Sequence, residues 1–303
     1  MTRAGPFVTF ACACQERCER YMFKADDFRL SFSTWAAPGK TIPQLVEAAK
    51  AWGYAGVELV MGGPGASAHA HGLDADTPPG RLAEARHTLA SSGVDVSCVS
   101  PNLPFGPGQA PVDELKRYVA LAETLGCKCV RIQGPSLSRE RGELAGLIDS
   151  FADAIADAIT FAEQSSVSIL LDTTDDFAST KYVREVVKQV YSERFGVLWD
   201  VAATFRALET VEEAFDNISG QVRHVHVADF RYAEGRTKVV SVPLAEGEVP
   251  FAAAIGCLAR DGFEGFLSLD MREGVSDELL AQGAKVLAKL VAEAFSSPVE
   301  IQK

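Results

Sequence analysis

The stretches FGVLWD (195–200), VRHVHVAD (222–229) and FEGFLSLD (263–270) decide the fold. Each is a short apolar run that reaches a polar residue at or near its end and is followed by a segment of helical periodicity. Working outward, the same unit recurs at VSILLD (167–172), CKCVRIQ (127–133), VDVSCVS (94–100), GVELV (56–60) and FRLSFST (28–34). The periodicity predicts intervening helices near 41–52, 81–92, 111–126, 141–164, 178–193, 204–219 and 250–261, and a closing helix near 276–295. Gly126 is a stop signal for the third of these. Strands that alternate with helices pair in parallel. Eight such units imply closure into one (β/α)8 TIM barrel, an α/β fold whose strands are buried on both faces.

The chain has 303 residues, of which 47% are hydrophobic and 23% charged, as expected for a soluble protein with a large core. The barrel domain is expected over 26–303. Residues 1–25 read as a separate, poorly ordered extension, and Met22 stands as a second candidate start. Cys12, Cys14 and Cys18 in that extension lack the two-pair spacing of a zinc site. Reduced cysteines without a secretory signal point to a cytoplasmic protein. A net charge of −12 argues against a nucleic-acid partner, and no apolar run is long enough to span a membrane. The expected partner is a small molecule, and a homo-oligomer is compatible with this class.

Barrel sites lie at the carboxyl ends of the strands, so the polar groups found there carry the chemistry. Asp172, Asp200, His226 and Asp270 fall at four such ends. Each aspartate shares a strand face with an inward candidate, namely Leu170, Leu198 or Ser268, and His226 shares one with His224. Three carboxylates drawn together repel unless a cation or protons neutralise them. With the imidazole they form an oxygen and nitrogen ligand set suited to one divalent metal ion such as Mn²⁺, Mg²⁺ or Zn²⁺. Taken singly, each aspartate also suits a helix cap.

The stretches GVLWD, VRHVHVAD, VPLAEGEVPF (242–251) and FEGFLSLD resemble the xylose isomerase-like barrels, the sugar isomerase and epimerase group. That resemblance implies metal ligands at Asp172, Asp200, His226 and Asp270, with Asp172 and Asp270 as the catalytic proton carriers. It also implies a sugar-like polyol or keto acid as substrate, isomerised, epimerised or dehydrated beside a metal-polarised carbonyl. Two departures stand out. The family usually has Glu at the positions of Asp172 and Asp270, so each carboxylate here is one methylene shorter. The histidine often found three residues after the sixth strand's aspartate is Ala203. A barrel that kept its pocket and lost its metal, serving as a binding or partner subunit, is therefore the rival reading.

Further substrate contacts are expected from Glu58 and Gln133 at strand ends, from Trp35 as a pocket wall, and from Arg231 or Arg272 as anchors for an anionic oxygen. Asp229 is expected to cap its loop or to orient His226, and His224 to satisfy a core hydrogen bond. His69 and His71 lie in the glycine-rich second loop. Apurinic-site cleavage with several zinc ions needs more than five histidines. No nucleophile elbow or phosphate loop is present.

Overall fold

The computed structural model describes residues 28–62, 69–106, 110–137, 143–271 and 275–296. The expected extension at 1–25 lies outside the described residues. Eight parallel strands close the barrel: β1 (Arg29–Ser33), β2 (Gly56–Met61), β3 (Asp95–Pro101), β4 (Cys129–Ile132), β5 (Ser168–Asp172), β6 (Phe195–Asp200), β7 (Val222–Val227) and β10 (Phe266–Leu269). The last strand pairs with both β7 and β1, Ser268 standing opposite His226 on one side and Ser31 on the other.

Helices α1 (Ile42–Trp52), α2 (Pro79–Ser92), α3 (Val112–Leu125), α4 (Leu144–Ala162), α5 (Thr180–Val190), α6 (Val201–Arg206), α7 (Val211–Ile218), α8 (Phe251–Asp261) and α9 (Asp277–Ser296) accompany the strands. Helix α3 stops where Gly126 takes the left-handed conformation at φ 78°. The single helix expected over 204–219 is two. Leu208 turns the chain at φ 66°, and Thr210 with Glu213 forms a capping box that starts α7 afresh.

A second correction concerns the long loop expected after 229. It contains an antiparallel hairpin of β8 (Asp229–Ala233) and β9 (Lys238–Val242), held in register from Asp229↔Val242 to Ala233↔Lys238. The valine-rich run KVVSV supports this ribbon, which stays outside the barrel.

The barrel interior has two halves. Cys98, Cys129, Leu170 and Leu198 form a separate apolar cluster. Opposite lie Ser31, Glu58, His224, His226 and Ser268, all buried. Room inside is tight: a β-carbon added to Gly196 would meet the Gln221 carbonyl oxygen at 2.9 Å and Leu170 Cδ2 at 3.1 Å. Gly196→Ala is expected to destabilise the fold by about 1–3 kcal/mol through overpacking, measured by urea unfolding. An unchanged unfolding midpoint would show that the barrel relaxes around the methyl group.

Candidate active site

The four strand-end groups share one cavity. Asp172, Asp200, His226 and Asp270 all line a space of about 470 Å³, together with Trp35, Gln133, Arg131 and Glu58. A larger cavity of about 640 Å³ opens at the opposite, amino-terminal end of the strands around Arg29, Lys128 and Arg223. None of the strand-end groups reaches it, so chemistry is assigned to the smaller one.

At the cavity floor Glu58, only 1% exposed, is surrounded by donors. It accepts from His224 Nε2 at 2.9 Å, His226 Nε2 at 3.0 Å, Ser100 Oγ at 2.5 Å and Ser268 Oγ at 2.8 Å. An ionised carboxylate can only accept, so each imidazole presents Nε2–H to it. Burial opposes ionisation of Glu58, yet the charge and hydrogen bonds of His226 and His224 outweigh it and hold the carboxyl well below its usual range. Burial likewise opposes a charge on His226. Glu58, Asp270 and Asp172 outweigh that in turn, pushing His226 up to about 10.

The remaining carboxylates are arranged around His226. Its Nδ1 lies 3.8 Å from Asp270 Oδ2, and the Asp270 side chain is 35% exposed. Asp200 Oδ1 caps α6 by accepting from Ala203 N at 2.8 Å, so this residue is both a cap and a cavity wall. Burial pushes the Asp200 carboxyl up, the Asp172 charge adds to this, and it titrates at about 6. Asp172 Oδ2 accepts from Arg131 Nε at 2.6 Å, in an ion pair whose side chains are 2% and 15% exposed. The other oxygen of Asp172 is buried with no hydrogen-bond partner among the described residues.

These donors fit a divalent cation. Asp172 Oδ1 is an orphaned acceptor, and His226, with Nε2 held by Glu58, turns Nδ1 toward Asp270. A ligating histidine commonly has its other nitrogen held by a carboxylate in this way. Among the described residues five carboxylates, Glu58, Asp172, Asp175, Asp200 and Asp270, line the cavity with the cations Arg131 and His226, which leaves negative charge uncompensated. Glu58, His224 and His226 also approach closely enough to grip an ion. Their ligand atoms lie within 4.8 Å of one another, with the facing atoms already bonded to one another and Glu58 to two serines as well.

Several expected residues have other employment. Glu58 has no oxygen left for a sugar hydroxyl because four donors saturate it. Asp229 does not orient His226: its oxygens accept from the backbone N–H groups of Phe230, Gly247 and Val249, fixing the hairpin loop. His224 is fully buried on Glu58, as a core partner. Arg231 lies on the exposed face of the hairpin and donates to the Glu246 carbonyl, away from the cavity. Arg272 lies outside the described residues. His71 is buried, donating from Nε2 to the Val60 carbonyl at 2.9 Å, and burial pushes it down to about 4, so it is neutral. Arg131, Ser100 and Ser268 were missed. Arginine within the strand run CKCVRIQ was the available signal for the first, since it shares the inward face of Cys129 and Gln133.

The family model for the xylose isomerase-like TIM barrel matches residues 46–290, most of the closed barrel just described. The chain belongs to that family. No functionally curated protein matches its sequence. Among solved structures it is similar to a xylose isomerase-like TIM barrel protein from Mycobacterium smegmatis in complex with magnesium, at 14% identity and a TM-score of 0.71, over 90% of this chain and 99% of that one. The probable 3-DHS dehydratase from Bacillus anthracis, involved in petrobactin synthesis, is 17% identical with a TM-score of 0.70 over 86% and 98%. An L-ribulose 3-epimerase is 17% identical with a TM-score of 0.68 over 89% and 96%. At these identities the likeness is one of fold.

Proposed function

We propose that this family member is an isomerase, epimerase or dehydratase of a sugar-like polyol or keto acid, working with one divalent metal ion held by Asp172, Asp200, His226 and Asp270. The observation that carries the reading is the convergence of these four groups on one cavity, with Asp172 Oδ1 left unpartnered there. The epimerase and dehydratase among the similar structures, and the magnesium bound to a third, agree with it.

When bound, the ion would supply a Lewis acid for the substrate's carbonyl oxygen. The protein supplies the rest. Trp35 walls the mouth of the cavity and Gln133 offers an amide to a hydroxyl. Asp172 and Asp270 are the proton carriers, taking a proton beside the carbonyl and returning it for isomerisation or epimerisation. Loss of a β-hydroxyl instead of reprotonation gives dehydration. Glu58 holds His226 in the orientation that leaves Nδ1 toward Asp270.

Elemental analysis of protein purified without chelator, beside Asp200→Ala, tests this directly. About one equivalent of Mn, Zn, Mg or Fe is expected and should be lost in the variant. Proton exchange of ketoses, inososes and keto acids in deuterated water then reads the chemistry. Metal-free protein that stays so after reconstitution, with no exchange, would favour the rival: a binding or partner subunit. The Arg131–Asp172 pair is the observation on its side, because it neutralises one carboxylate without any metal.

A further inference from the structure

The cavity already contains a permanent cation. Arg131 reaches in from β4 to Asp172 at the end of the neighbouring strand β5, and Leu170 of β5 stands opposite it in the register. Only Nε is used in this pair, so Nη1 and Nη2 have no hydrogen-bond partner among the described residues. An arginine guanidinium keeps its charge in proteins, and Asp172 is the carboxylate it meets here. Asp172 is a short acid, and a guanidinium on the adjacent strand meets it where it sits.

We propose that Arg131 is a built-in cation of this site, sharing Asp172 with the divalent ion and setting how tightly that ion is held. The inference rests on the metal reading above. Two consequences follow from charge and geometry. With Oδ2 engaged by Arg131, Asp172 has one oxygen left for a cation, so it binds through Oδ1 alone. A fixed positive charge in the same cavity also repels the incoming ion, an effect that low-dielectric surroundings magnify. Arg131 is thus a positioning residue for Asp172 and a brake on metal affinity.

Calorimetric titration with Mn²⁺ tests this on the full chain after chelator treatment, for the wild type, Arg131→Lys, Arg131→Met and the Arg131→Met/Asp172→Asn double variant. Circular dichroism checks that each is folded. The double variant guards against misfolding, because it removes the buried charge and its counter-charge together. Arg131→Met should bind Mn²⁺ about tenfold or more tighter than the wild type, since the brake is gone and both Asp172 oxygens are free. Arg131→Lys, which keeps the charge, should stay within about threefold, and the double variant should return toward the wild type. Should Arg131→Met fail to fold, a double variant more than about tenfold from the wild type in either direction would overturn the inference. A folded Arg131→Met that binds no tighter than the wild type would overturn it too, while the metal reading stands. Binding in Arg131→Met and none in the wild type would support the brake and sink the metal reading for the native chain. If neither binds, both fall.

Discussion

Glu58→Ala is expected to destabilise the protein by about 3–5 kcal/mol, the cost of removing one partner from a buried ionic network. In a chain of this size that corresponds to a fall in Tm of roughly 5–8 °C. The reason is the number of groups that lose their acceptor. His224, His226, Ser100 and Ser268 all point at this one carboxylate, and all four are buried. Donors stranded there find no water to replace it. The effect should depend on pH. Glu58 is held below its ordinary range, so its contribution is present above the unfolded carboxylate value and lost as pH falls through the folded one. His226 is held up at about 10, so its contribution is complete below the unfolded imidazole value and fades as pH rises toward 10. In metal-free protein the stability gap between wild type and Glu58→Ala should therefore be widest around pH 6 and narrow toward pH 10. Urea unfolding across that range measures it. A gap under about 1 kcal/mol, or one that stays constant with pH, would mean that the network contributes little beyond ordinary hydrogen bonds.

This network also shows why part of the site was hidden from the sequence. Asp172, Asp200 and Asp270 announced themselves because they end apolar runs, where a charge has no place unless the strand is surfacing. Glu58 was expected at a similar end and looked like a substrate contact, but β2 runs on to Met61 and leaves it inside the strand. Its saturation depends on His224, 166 residues away, and Ser268, 210 residues away, and only closure of the barrel brings them in. Arg131 was missed for a related reason. Its partner Asp172 is 41 residues on, and neither strand reveals the other's register.

The fold itself was readable because each strand-helix unit is local. Alternation between short apolar strands and amphipathic helices survives without knowledge of any partner. The errors fell where local signals competed. The run 204–219 keeps helical apolar spacing throughout, but Leu208 turns left-handed and Thr210 recaps the chain, which no periodicity discloses. The segment 229–242 lies beyond the barrel strands, so its largely exposed residues read as loop although they pair with each other. The same exposure explains Arg231: an arginine just past the histidine strand looked like a substrate anchor, yet the hairpin carries it outward.

Replacing Asp270 by asparagine is expected to slow substrate proton exchange by about 10²–10⁴-fold even at saturating Mn²⁺, the usual effect of losing a general base. Asp172→Asn should cost less. Both were candidates as proton carriers, and the structure makes them unequal. A base must become neutral while it holds the proton. If Asp172 did so, the buried Arg131 guanidinium would lose its only ion-pair partner among the described residues, which is costly in surroundings where its side chain is 15% exposed. Asp270 faces no such penalty. It is about one third exposed, and His226 Nδ1 lies 3.8 Å away, beyond hydrogen-bond distance, so protonating Asp270 breaks no buried hydrogen bond with that ring. The measurement is deuterium incorporation into the fastest-exchanging ketose, inosose or keto acid, with metal occupancy held equal by excess Mn²⁺ and folding checked by circular dichroism. If Asp172→Asn slows exchange as much as Asp270→Asn or more, the proton must pass through Asp172. The Arg131 pair would then open during catalysis rather than persist through it.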